Sequence, residues 1–275
     1  MGERTLWRVV RAGLVVLAVS VAVFPFLWML RTSVAGADSI HVDGFAPVPH
    51  SYDLGNYARA WQRADLGTAM LNGAVVTVSI LALQLLTCIP AAYAFAKLRF
   101  RGRDTLYVVV LGCLLVPTQA TALPLFLGVS SAGLADTLTA LVLPFASSAF
   151  GIFLLRQHMV TIPDALLEAA RADGLRTFST LRRVVVPATA PAIATFAVFS
   201  IFVHWNDYLW PLLVARDEAL RTPPLALAIF QQADTGFDFG ALAAGAAIIT
   251  APIVILFLVA QRRFIAGVAG GEMPG

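Results

Sequence analysis

Uncharged apolar runs too long for a soluble fold set the strongest limit on what this chain can become. The first, residues 12–30, has nineteen positions without a charge and follows Arg4, Arg8 and Arg11. At about 1.5 Å of rise per residue it nearly spans a hydrocarbon core of about 30 Å, where only a helix or a closed barrel satisfies its own backbone. A second run, residues 66–96, ends at Lys97, Arg99, Arg101 and Arg103. Residues 105–135 and 137–155 are divided by one charge, Asp136, beside the turn formers Ser130, Ser131 and Gly133. Two further runs follow. The pattern predicts an all-α polytopic membrane protein with six transmembrane helices at about 12–30, 69–95, 105–127, 137–155, 190–211 and 239–261. Composition agrees: 59% of residues are hydrophobic, 13% are charged, and the mean hydropathy is +0.81.

Orientation follows from the basic residues. Of 19 Lys and Arg, 14 precede the first span, lie between spans two and three or four and five, or follow the sixth; the other loops hold 5. Cytoplasmic loops carry the basic excess, so both termini (1–11 and 265–275) and the loop at 156–188 are expected inside, an N-in/C-in arrangement in a bacterial-type cell membrane. The rival for residues 12–30 is a cleaved signal peptide, with Ala35, Gly36 and Ala37 as a small-residue cleavage site. Residues 31–65 form a polar connector, expected outside and long enough for a small structured loop.

Several classes fall away. A formal charge of +3 with no long basic patch gives no case for nucleic acid. Cys88 and Cys113 lie inside apolar runs, which argues for packing and against a disulfide framework or metal site. No Walker A sequence, HExxH or nucleophile elbow is present, so the chain offers no catalytic residues and no ATP site of its own.

The most polar block between apolar runs is TIPDALLEAARADGLRTFSTLRRVVVP, residues 161–187. Thr161, Pro163 and Asp164 are helix-start signals and Gly174 is a stop, which predicts a short helix from about Pro163 to Asp173. Asp164, Glu168 and Arg171 share one side of it, and Leu166, Ala169 and Ala170 make an apolar face suited to docking. Gly174 is expected at positive φ, which glycine adopts without steric cost. Leu175, Phe178, Leu181 and Val185 then recur at helical spacing until Pro187, giving helix, tight turn, helix. The competing reading is an amphipathic connector lying on the membrane surface.

Glu168-Ala169-Ala170, Gly174 four positions on, then Val184, Val186 and Pro187 resemble the EAA loop of ABC importer permeases; the two valines replace the usual isoleucine and leucine. The stretches at 91–104, 162–170 and 172–174, and WNDYLWPLL at 205–213, resemble the carbohydrate-uptake, maltose-type branch. The resemblance implies a coupling helix seated in a cytoplasmic ATPase subunit, with Pro163, Asp164, Glu168, Ala169, Ala170, Arg171, Asp173, Gly174, Phe178 and Pro187 as coupling residues. It also implies a second permease, two ATPase copies that use ATP and Mg, an extracytoplasmic sugar-binding protein, and a glycine-bearing tail after Arg263 that touches the ATPase. A disordered terminus is the other reading of that tail.

For the solute path, candidates are polar or aromatic groups inside apolar runs, which are costly against lipid: Gln119, Ser147, Ser148, Trp205, Asn206 and Asp207. Aromatic rings stack on the C–H faces of a sugar while amides and carboxylates pair with its hydroxyls. Interfacial anchoring and helix-to-helix hydrogen bonds compete for these residues. Pro117 and Pro124 break the third run, and Pro117-Thr118-Gln119 either borders the path or is an ordinary kink. Two functional alternatives stand beside a sugar permease: an ABC permease for another solute (a phosphate ester, polyamine or peptide), and an ATP-independent secondary transporter. The latter predicts internal repeats and mid-membrane ionisable groups that the sequence lacks.

Overall fold

The computed structural model describes residues 3–231 and 237–269, and all of the regular structure among them is helical. The helices are α1 (Glu3–Val34), α2 (Ala37–Val42), α3 (Gly55–Arg63), α4 (Leu66–Lys97), α5 (Arg103–Cys113), α6 (Thr118–Ser131), α7 (Leu138–Val142), α8 (Ala149–Val160), α9 (Asp164–Ala172), α10 (Thr177–Thr180), α11 (Val186–Ala188), α12 (Ala190–Trp205), α13 (Leu209–Val214), α14 (Pro223–Ala226) and α15 (Phe239–Ala269). Among the described residues, Val10–Val34, Leu66–Lys97 and Phe239–Val259 are each long and apolar enough to cross a membrane, and three bent pairs raise the total to as many as six. Large apolar side chains such as Leu14, Leu17, Val78, Leu86 and Ile255 lie exposed along α1, α4 and α15. Water would penalise those faces and lipid does not.

The pairs are bent for local reasons. The third run turns by 100° between α5 and α6. Pro117, at φ −61° and ψ 131°, lies in extended backbone ahead of α6, whereas Pro124 stays inside that helix. The fourth run bends by 40° between the segment Leu138–Phe145 and α8. The fifth departs from an unbroken 190–211 span: α12 ends at Trp205, and α13 begins only at Leu209. At its other end, the segment Thr177–Ala188 meets α12 at 79°.

The chain divides into two compact units, Met1–Gly67 with Ala226–Pro252 and Thr68–Leu225 with Ile253–Gly275. In the first, the connector at 31–65 is a structured loop, as its length predicts. Arg31 pairs with Asp43 at 2.8 Å, and Ser39 and His50 also bond the Asp43 carboxylate. Asn56 is buried and donates to the carbonyls of Ser33 (3.0 Å) and Ala35 (2.9 Å). Arg59 pairs with Asp53 at 2.9 Å and with Asp238 at 3.3 Å, and Asp238 accepts from the Ala241 amide in the first turn of α15.

Among the described residues of the second unit, two hydrophobic clusters position the site. One joins Cys88, Ala92 and Tyr93 of α4 with Leu155 and Met159 of α8, Leu167 of α9, Val185, and Phe196 of α12. Gly151 permits the close α8–α12 contact, since a Cβ there would strike the Phe196 ring. The other joins Val76 and Ile80 of α4, Val129 of α6, Leu141 of α7 and Trp210 and Val214 of α13. Both cysteines are free; Cys88 packs as expected, while Cys113 is exposed. The helix α15 continues through Ala269, so the expected tail from 265 starts as helix, and residues 270–275 lie outside the described residues.

Candidate functional site

Two features stand out in the second unit. The first is the polar loop. Asp164 opens α9 after Pro163, which sits in extended backbone at ψ 134°. Thr161 does not cap this helix, contrary to the start signal read in the sequence; its hydroxyl donates back to the His158 carbonyl at 2.8 Å and closes α8. Asp164 pairs instead with Lys97 at 2.7 Å, and that hydrogen bond and charge hold its carboxyl below the usual carboxylate value.

α9 ends as the sequence predicts. Gly174 has φ +77°, its amide donates to the Arg171 carbonyl at 2.9 Å, and the Leu175 amide donates to the Ala170 carbonyl at 3.0 Å. These two bonds form a Schellman motif. No heavy atom lies within 4 Å of a Cβ built at Gly174, so the backbone angle alone calls for glycine.

The apolar face of α9 is rotated from the expected one. Leu167 and Ala170 are buried in the chain's own core, while Leu166 is 49% exposed and Ala169 is exposed. Ala170 is thus used internally. Pro163, Asp164, Glu168, Ala169, Arg171, Asp173, Gly174, Phe178 and Pro187 are all exposed, Phe178 by 73%. Leu166 and Phe178 are large apolar side chains left outside the core.

Beyond α10 the helix widens to a π turn over Leu181–Val185. Pro187, two residues past it in α11, has no N–H for the Arg183 carbonyl, which removes an α-helical bond from this turn. The helix passes through Pro187 and breaks at Thr189, a buried residue whose hydroxyl donates to the Val185 carbonyl at 2.7 Å.

The second feature is a cavity of about 330 Å³, lined by α4, α6, α12, α13 and the segment between α7 and α8. Gln84, buried in mid-α4, donates to the Phe145 carbonyl (3.0 Å), lies 3.2 Å from His204 Nε2, and accepts from Ser200 Oγ (2.7 Å). Phe145 meets Trp210 edge-on at a centroid distance of 5.9 Å, and the Trp210 indole donates to the Ala140 carbonyl at 2.9 Å.

Of the six path residues read from the sequence, Gln119, Ser147, Ser148 and Asp207 line this cavity. Trp205 and Asn206 do not. Trp205 is buried on the side of Gly73, and the Asn206 amide donates to the Phe202 carbonyl at 2.7 Å, closing α12. Ser148 and Asp207 also cap: Ser148 Oγ accepts from the Gly151 amide (3.1 Å) and Asp207 from the Trp210 amide (3.3 Å). Gln84 and Ser200 were missed, although each is a polar residue inside an apolar run, the same signal that marked Gln119.

A helical membrane chain with a polar helix–turn–helix exposed at its surface and a polar, aromatic-lined cavity defines a polytopic permease. The chain belongs to the family described as binding-protein-dependent transport system inner membrane component, matched over residues 85–270, as a permease subunit of the carbohydrate-uptake branch of ABC importers. It is 31% identical to the probable ABC transporter permease protein YurM of Bacillus subtilis over 277 residues, covering 100% of this chain and 90% of the relative. It is 32% identical to the trehalose transport system permease protein SugB of Mycobacterium tuberculosis, with 100% of both chains covered. The fold is shared with a chain in the crystal structure of a bacterial ABC transporter that imports the acidic polysaccharide alginate. There the TM-score is 0.84 at 24% identity, over 96% of this chain and 99% of that one.

Proposed function

We propose that this chain is one of two permeases forming the path for a sugar delivered by an extracytoplasmic binding protein, driven by two ATPase subunits in trans. Six crossings with both termini inside place α9 and its Schellman turn in the cytoplasm, in line with the basic-residue asymmetry. The observation that carries the coupling reading is the outward surface of this loop: Leu166 and Phe178 stand exposed around a rigid turn whose inner side is anchored by Leu167 and Ala170. An ATPase cleft covering those side chains gains apolar burial and a lever fixed to the transmembrane core.

The cavity supplies the path. Phe145, Phe199 and Trp210 offer ring surfaces, and Gln119, Ser147 and Thr121 offer hydroxyl and amide partners, the pairing a sugar requires. Among the described residues that line it, Asp207 is the one carboxylate and none is lysine or arginine, which suits an uncharged sugar over an acidic one. Alternating access follows when the ATP-bound ATPase dimer and the loaded binding protein both favour the same arrangement of the permeases.

Site-directed cross-linking tests the reading. Cysteines at Leu166 and Phe178 are expected to cross-link to the ATPase subunit in membranes and to react with impermeant maleimide only from the cytoplasmic side. Labelling from the outside would reject it.

A further inference from the structure

Lys97, the last residue of α4, uses all three donors of its ammonium on the entry to α9. It donates to the carbonyls of Val160 (3.4 Å) and Ile162 (2.6 Å) and to the Asp164 carboxylate (2.7 Å), and its side chain is only 8% exposed. Ile162 is buried in the core and its amide donates to the Met159 carbonyl at 3.3 Å, but beyond the Lys97 bonds no other side-chain hydrogen bond fixes this entry among the described residues. Pro163 has no N–H, the N-terminus of α9 has no side-chain cap, and Thr161 is turned back onto α8. The apolar contacts of Leu167 and Ala170 hold α9 against the core, but burial is non-directional and lets a short helix roll or slide. Charge-assisted hydrogen bonds to three separate acceptors do not.

The neighbouring helices have further ties: Lys97 reaches only the last residue of α8, Val160, at 3.4 Å. Arg156 of α8 donates to the Phe95 carbonyl of α4 at 3.3 Å and lies 3.9 Å over the Tyr107 ring of α5, and Cys88, Tyr93, Leu155 and Met159 pack together beneath. Removing the ammonium therefore loosens α9 more than α8 or α5. We propose that Lys97 is the positioning residue that locks α9 to the end of α4, so that displacement of the loop by the ATPase is transmitted to the helix carrying Gln84 on the cavity wall. This rests on the coupling reading of α9 given above.

The test uses the full complex reconstituted in lipid, with a Cys113→Ser background and a reporter cysteine at Ala122, a cavity-wall position. The readout is the change in maleimide labelling between nucleotide-free and ATP/vanadate-trapped states, alongside ATP hydrolysis. In Lys97→Met the nucleotide-dependent change is expected to shrink at least about fivefold, the low end of usual coupling factors, while hydrolysis and ATPase binding persist. Lys97→Arg, which keeps several donors, is expected to restore it, and Asp164→Asn, which leaves both carbonyl acceptors, to retain most of it. A wild-type labelling change in Lys97→Met overturns the proposal. Should that variant fail to assemble, loss of the change in assembled Lys97→Arg overturns it instead. Gly174→Asp in the same assay separates the two levels: if it also keeps the full change, the coupling reading of α9 fails, and if it alone loses the change, only the role of Lys97 fails.

Discussion

Ser200 Oγ donates to Gln84 Oε1 at 2.7 Å, joining α12 to α4 across 116 positions of sequence in the buried wall of the cavity. With the Phe145 carbonyl and His204 as further partners, Gln84 brings three segments of the chain to one point. A buried amide is tolerable only when its hydrogen bonds are made, so this cluster fixes the cavity's shape as well as its polarity.

Ser200→Ala leaves the Gln84 carbonyl oxygen without its donor, a loss of about 1–3 kcal/mol for a buried polar group. The purified complex should melt at a lower temperature, with ATPase binding kept. Unchanged melting would show that the cluster contributes little.

Gly174→Asp places a Cβ at φ +77° and adds a carboxylate at the C-terminal end of α9, where the helix dipole disfavours negative charge. The strain is about 1–2 kcal/mol and local, because nothing surrounds the position. Membrane levels should match wild type while co-purification of the ATPase is weakened and solute uptake is lost. Gly174→Asn, which takes left-handed backbone more readily than other substitutions, should keep more of both.

Thr121 borders the cavity and its side chain is exposed. Thr121→Trp should fill the space and abolish uptake of the binding protein's ligand without loss of ATPase docking. Co-purification together with cellular uptake checks this, and undiminished uptake would place the path elsewhere.

Hydrogen bonds from Ser39 and then from His50 hold the Asp43 carboxyl below its usual value of 3.8. A carboxylate depressed in the folded state adds stability that is present above the unfolded value and is lost as pH falls through the folded one. The 31–50 loop should therefore stay ordered through mild acid and open only well below pH 3.8. Asp43→Asn should remove that pH dependence. Amide exchange across the loop, corrected for intrinsic rates at each pH, reports both.

Much of the architecture could be read from residue order. Uncharged runs long enough for lipid are constrained locally, since each helix satisfies its own backbone, and Gly174 announced its turn because only a left-handed residue ends α9 that way. Other features depended on distant neighbours. Thr161 carried a capping signal, yet its hydroxyl found the His158 carbonyl. Leu167 went inward in place of Leu166 because α4 and α8 present their core on that side. Trp205 and Asn206 looked like path residues by type, but the rotation of α12 and its end at Trp205 turned them away from the cavity.

Sequence by itself determined a membrane-embedded helical protein with one polar helix–turn–helix, since hydropathy and turn chemistry act over a few residues. Only the tertiary structure decided which side chains share a surface. Lys97 reaches Asp164 across 67 positions, and Gln84 meets His204 across 120. Those meetings depend on helix rotation and on the angles of the bends at Pro117 and Thr189, which packing sets jointly, although Pro117 marks locally where the first bend falls.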